Sequence, residues 1–247
     1  MKDLTKGKPS TLILAFALPI FFANLLQLTY SLVDTRIVGT FLGEDALAAV
    51  GATTTLSNLI IGFLQGLSGG FAIIIAQKFG AKDYKNVKKS FAMSLTMGTG
   101  IAIFFTVFGL LFLQPILNIL NVPSDLMATA KSYIFVIIAG LVATFLYDAC
   151  AAALRSLGDT VTPLVILAIS VALNIVGDLL FVVVLKSGVR GAAIATVLAQ
   201  AITFVVCWIY MVKRYELLRL SREDFKDPNP VMVKNMLGAG MSMGFMS

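Results

Sequence analysis

A chain of 247 residues that is 58% hydrophobic and only 13% charged lies outside the soluble class, where about a quarter of residues carry charge. With a mean hydropathy of +0.93 it reads as an all-α integral membrane protein, because hydrocarbon offers unpaired backbone groups no partner. The net charge of +6 does not signal nucleic-acid binding, since Lys and Arg gather in short loops. The lack of histidine removes imidazole catalysis and the commonest transition-metal ligand.

Six membrane spans are predicted. Lys2, Lys6 and Lys8 precede an apolar run that mimics a signal peptide. That run is too long, holds Pro19, Asn24 and Gln27, and has no small-residue cleavage site, so it reads as a retained first span over about 11–38. Asn24, Gln27, Ser31 and Asp34 fall at i, i+3, i+7 and i+10 along it, which is one helical face. Pro19 removes one intrahelical hydrogen bond and predicts a bend. The second span covers about 45–79, with Thr54, Asn58 and Gln65 on its polar side. Its glycines Gly62, Gly66, Gly69 and Gly70 permit close helix approach.

The third span, about 90–113, carries no charge and is the least informative. Residues 114–125 read as a short interfacial excursion. A fourth span over about 128–154 puts Gly140, Thr144, Asp148 and Arg155 on one face. The fifth starts near Thr162-Pro163, where proline suits a first helical turn. Within it Asn174 and Asp178 stand at i, i+4, with Ser170 one turn back. The sixth runs from the 188–191 turn to Tyr215, with Thr196, Gln200 and Thr203 on one stripe. Residues 1–215 thus form a six-helix lobe, 216–230 a polar cytoplasmic linker, and 231–247 the start of a seventh apolar helix. Residues 240–244 faintly repeat the pattern at 17–21. Cys150 and Cys207 each lie alone in an apolar segment, which suggests no disulfide framework.

Of the 19 basic residues, all but Arg36, Lys131, Lys186 and Arg190 fall on the N-terminal side of the membrane in this topology. That bias predicts a cytoplasmic N-terminus in a multi-pass plasma-membrane protein.

A carboxylate inside a spanning helix costs roughly 2.5–3.5 kcal/mol on insertion scales unless it meets a polar cavity or partner. For any one stripe, the plain alternative is an interhelical hydrogen bond. Several stripes together, three of them bearing Asp34, Asp148 and Asp178, are what a bundle around a hydrated cavity requires. Asp34, Asn174, Asp178 and Thr196 supply only hard oxygens, suited to Na⁺, a proton or a larger hard divalent cation. Two carboxylates in one dry pocket resist being ionised together, so such a site takes up or releases a cation as its hydration changes. Asn24, Gln27, Ser31, Asn58, Gln65, Asp148 and Gln200 are the expected cavity lining.

In order and spacing the chain resembles the MATE (multidrug and toxic compound extrusion) transporters. The residues that carry the likeness are Ala17-Leu18-Pro19-Ile20, Val33-Asp34-Thr35-Arg36-Ile37-Val38-Gly39, Leu47-Ala48-Ala49-Val50-Gly51 and Ala76-Gln77-Lys78-Phe79-Gly80-Ala81. Ala153-Leu154-Arg155-Ser156-Leu157-Gly158-Asp159, Asn174 with Asp178, and the 188–196 segment complete it. The resemblance implies one lobe of a twelve-helix, two-lobe antiporter that exports amphipathic or cationic compounds by alternating access, driven by Na⁺ or H⁺. It implies that Asp34, Asn174, Asp178 and Thr196 match the cation-responsive site of the N-terminal lobe. No cofactor beyond the coupling ion is implied; the partners are the bilayer, a small-molecule substrate and a missing C-terminal lobe. Asp148 departs from the pattern, which more often has Asn there. Two other readings stand beside this one. A lipid-linked-substrate flippase of the same superfamily would favour basic residues in the cavity. An intramembrane aspartyl protease of the presenilin type would use Tyr147-Asp148 and Gly177-Asp178, but Ile175 breaks its Gly-x-Gly-Asp motif and no Pro-Ala-Leu element is present.

Overall fold

The computed structural model describes residues 7–226 and 229–246, so Lys2 and Lys6 and part of the expected linker lie outside the described residues. Helix α1 spans Pro9–Leu42, α2 Glu44–Ala52, α3 Thr54–Gly80, α4 Tyr84–Leu111 and α5 Leu113–Ile119. Then come α6 Met127–Ala139, α7 Leu141–Ser156, α8 Val161–Asp178, α9 Val189–Arg214 and α10 Pro230–Met246. A π-helical turn, Leu179–Val184, extends α8. Among the described residues five helices are long and apolar enough to cross a membrane, and a sixth span is the pair α6–α7, bent by 48°.

Two expected continuous spans are broken, each for a local reason. The 45–79 span divides at Thr53, whose hydroxyl donates to the Val50 carbonyl at 2.8 Å, as does that of Thr54 at 3.3 Å. Such back-bonding from β-branched hydroxyl residues competes with the helical ladder. The 128–154 span divides at Gly140, whose φ of −95° and ψ of 11° are not helical. Pro19, by contrast, lies inside a continuous α1. The expected excursion at 114–125 contains α5, a single short helix.

The lobe is held by three apolar clusters at different depths. The largest joins α3, α4, α6 and α7 around Leu64, Leu67, Phe71, Ile134, Leu141 and Phe145, and takes in Met232 and Met236 of α10. A second gathers Ile75, Val87, Phe91, Leu154, Leu157, Met211, Tyr215 and Leu218, which ties the ends of α3, α7 and α9 to the start of α4. The third, Ile37, Val38, Val182 and Ala192, closes the opposite end. Helix α1 is peripheral: it rests on α2, α8 and the π turn, with only Ile37 and Val38 buried. Across from it α3 rests on α4, α7 and α10. The space left between these two groups of helices is the cavity.

Candidate functional site

Between α1 and the α3–α7–α8–α9 wall lies a cavity of about 1020 Å³, at the upper end of the roughly 300–1,000 Å³ typical of small-molecule sites. The polar stripes read from the sequence converge on it. Asn24, Gln27, Ser31 and Asp34 of α1 line it, with Asn58 and Gln65 of α3, Asp148 of α7, Ser170 and Asn174 of α8, and Thr196 and Gln200 of α9. Thr203 does not reach it; its hydroxyl is buried and donates to the Ala199 carbonyl at 2.5 Å.

One end of the cavity is built from α1, α8 and α9. The fit of α8 to α9 is close because Gly177 carries no side chain: a Cβ there would lie 2.9 Å from that of Ala195. That approach lets Asn174 pair with Thr196 at 3.4 Å, and Thr196 also donates to the Ala192 carbonyl at 3.1 Å. Asp178, one turn beyond Asn174, is fully buried and stands just behind the cavity wall, within interaction range of Asp34. Both Asp178 carboxylate oxygens and Oδ1 of Asp34 are enclosed without a hydrogen-bond donor. Two ionised carboxylates are acceptors only, so a proton or a cation is the kind of group that can satisfy this pair. Among the described residues no third His, Cys, Asp or Glu joins them to form a metal-binding group. The donor set is therefore two carboxylates, one amide and one hydroxyl.

Two residues that the sequence reading passed over belong here. Tyr30 faces Thr196, hydroxyl to hydroxyl at 3.5 Å, and stands beside Asp34 and Asp178. Tyr133 of α6 stands beside the same two carboxyls. The signal was present: Tyr30 is one turn before Asp34, and Tyr133 is two turns before Gly140 on the stripe of Thr144 and Asp148. In mid-cavity Thr144 donates to Gln200 at 2.6 Å, linking α7 to α9. Toward the other end come Asp148, whose Oδ2 is buried without a partner, and then Arg155.

Membrane-length helices closed around a polar, ligand-sized cavity define a transporter lobe, and comparison with known proteins gives the same class. The chain belongs to the MatE family, whose model matches residues 19–180. It is 30% identical over 243 residues to "Probable multidrug resistance protein YpnP" of Bacillus subtilis, covering 98% of this chain and 54% of that protein. It is 33% identical over 225 residues to "Probable multidrug resistance protein YoeA" of the same organism, covering 88% and 48%. Among solved structures it superposes on a MOP superfamily transporter from Pyrococcus furiosus with a TM-score of 0.91 at 27% identity, covering 98% of this chain and 53% of that one. An outward-facing multidrug resistance MATE transporter matches with a TM-score of 0.90 at 26% identity, over 98% and 53%. The chain spans about half the length of the relatives it matches. Its family is one of transporters rather than enzymes, which removes the intramembrane protease reading.

Proposed function

We propose that this chain is the N-terminal lobe of a Na⁺- or H⁺-coupled antiporter that exports organic cations, drugs or other amphipathic compounds by alternating access. It works with a C-terminal lobe across a shared cleft, in the plasma membrane, with its N-terminus in the cytoplasm. The observation that carries the reading is the pair of a buried Asp178 and a half-buried Asp34, with three enclosed oxygens that have no donor, next to Asn174 and Thr196 at the edge of a ligand-sized cavity. A proton or Na⁺ entering the pair cancels one charge and favours the conformer that buries it. Its release favours the conformer that hydrates the pair, a population shift set by the ion's differential affinity for the two states. The relatives' names, multidrug resistance and multidrug export, support the substrate class. The flippase alternative is less well supported, because the charged residues lining the cavity are Asp34, Asp148 and a single base, Arg155.

The test is Asp178→Asn, which keeps the shape and deletes the titration. Drug efflux from cells or vesicles should fall at least about tenfold or lose its dependence on the Na⁺ and proton gradients. Asp34→Asn should behave alike, and the double variant should cost little more than either single one, because contacting groups act as a unit. Unchanged efflux with unchanged ion dependence in Asp178→Asn rejects the assignment.

A further inference from the structure

We infer that Asp148 is a separate binding post for the positively charged group of an organic cation, distinct from the Asp34–Asp178 pair. The inference rests on the organic-cation reading above and assigns it a residue. The two acidic loci are set apart along one ladder of hydrogen bonds. Asn174 pairs with Thr196 and Thr144 with Gln200, so these two rungs lie one turn apart on α9. Short connections make α8 antiparallel to α9 and α7 parallel to it. Asp178 therefore lies one turn beyond the first rung and Asp148 one turn beyond the second, in opposite directions. The separation is three helical turns, roughly 16 Å along the axis. At that distance across a hydrated cavity the loci interact weakly, and each can hold its own cation.

The surroundings of Asp148 are those of a ligand site rather than a packed polar residue. Its Oδ2 is enclosed with no hydrogen-bond partner, and Arg155, two turns on, donates nothing to that atom. The Ser156 hydroxyl donates to the Ala72 carbonyl at 3.0 Å. Because α3 and α7 run parallel, that contact places Gln65 at the depth of Asp148 and Ser68 one turn further on, level with Ala152. Both line the cavity, and the Ser68 hydroxyl is also buried without a partner. An unpaired carboxylate in a spanning helix is expensive. A lipophilic cation whose apolar groups lie against the cavity wall and whose charge meets Asp148 removes that cost, without using the coupling pair.

The experiment is equilibrium binding of tetraphenylphosphonium to the purified protein in nanodiscs, beside triphenylphosphine oxide as a neutral probe of similar shape. Asp148→Asn should weaken phosphonium binding at least about tenfold, as expected when one partner of an enclosed charge contact is removed. It should leave the neutral probe unaffected, and Asp148→Glu should restore most of the phosphonium affinity. Undiminished phosphonium binding by Asp148→Asn overturns this assignment and leaves the transport reading intact. Parallel loss of both probes overturns it too, because Asp148 is then structural. Wild-type protein that binds the neutral probe but not the cation overturns the organic-cation reading itself, and the Asp148 site with it.

Discussion

At the scale of single residues, several polar groups around the cavity are left without a partner, whereas polar groups in the turns at the ends of the spans include fully satisfied ones. Asp159, in the turn between α7 and α8, shows the second kind. It accepts from the Thr162 N–H at 2.9 Å and from the Tyr215 hydroxyl at 2.5 Å. Burial pushes its carboxyl up, but the bonds from Thr162 and Tyr215 outweigh burial and hold it below the usual carboxylate range. Burial and the bond to Asp159 push the Tyr215 phenol up in turn. A carboxyl depressed by folding adds stability that is complete above its unfolded value of about 4 and is lost as pH falls through the lowered folded value. Tyr215→Phe should therefore lower stability by about 1 kcal/mol near neutral pH, a charged hydrogen bond discounted for partial exposure. The deficit should shrink on acidification. Denaturant unfolding at pH 7 and pH 3 measures both, and an equal deficit at the two values contradicts the assignment. Residues of the cavity were legible in the sequence because helical spacing fixes a face: Asn24, Gln27, Ser31, Asp34 and Asn174 all line it, while Asp178, one turn beyond Asn174, lies behind the wall. Spacing does not say how far a polar stripe stays on the cavity: Thr203 shares the stripe of Thr196 and Gln200 but is buried in the bundle, its hydroxyl donating to the Ala199 carbonyl.

At the scale of elements, the number and order of the long apolar helices followed from composition, while the breaks depended on local competition that hydropathy does not register. Gly140 looked like one more small residue on a polar face, yet it is where α6 and α7 part by 48°. The π turn, Leu179–Val184, contains no proline or glycine; it is marked by the Leu185 N–H bonding back to the Leu180 carbonyl at 2.9 Å. Such turns are frequent at functional sites, and this one adjoins the buried acid. The packing of α10 on α3 was likewise hidden, although the glycines that allow it were noted. At Gly70 an added Cβ would meet the Ala239 carbonyl oxygen and lie 2.5 Å from the Gly240 Cα. These are backbone atoms and cannot swing aside. Gly70→Ala should cost about 1–3 kcal/mol, the range for overpacking a close contact. Gly100→Ala, with nothing within 4 Å of its added Cβ, should be neutral or slightly stabilising. Thermal unfolding of the two variants side by side is the check, and equal midpoints would show that α10 does not rest on α3 at this point.

At the scale of the whole molecule, the two ends of the lobe differ in charge as well as in packing. Val87, Leu154, Tyr215 and Leu218 share one cluster, and the helical turns after Tyr215 lie against α4. This brings Lys78, Lys82, Lys85, Lys88 and Lys89 to the same end as Arg155, Lys213, Arg214 and Arg219. The opposite end, closed by Ile37, Val38, Val182 and Ala192, carries Arg36, Lys186 and Arg190. A bundle with its bases gathered at one end inserts with that end in the cytoplasm, because lysine and arginine in short loops resist translocation. Lys85→Cys should accordingly react with a membrane-impermeant maleimide only after the cytoplasmic face is opened, and Lys186→Cys should react in intact cells. Both positions are exposed, whereas Cys150 and Cys207 are buried and contribute little background. The reverse labelling pattern would place the five-lysine turn outside and reject the orientation. It would also reverse the cavity, putting Arg155 and Asp148 toward the exterior and the Asp34–Asp178 pair toward the cytoplasm. The labelling therefore decides which acidic locus lies nearer the cytoplasm.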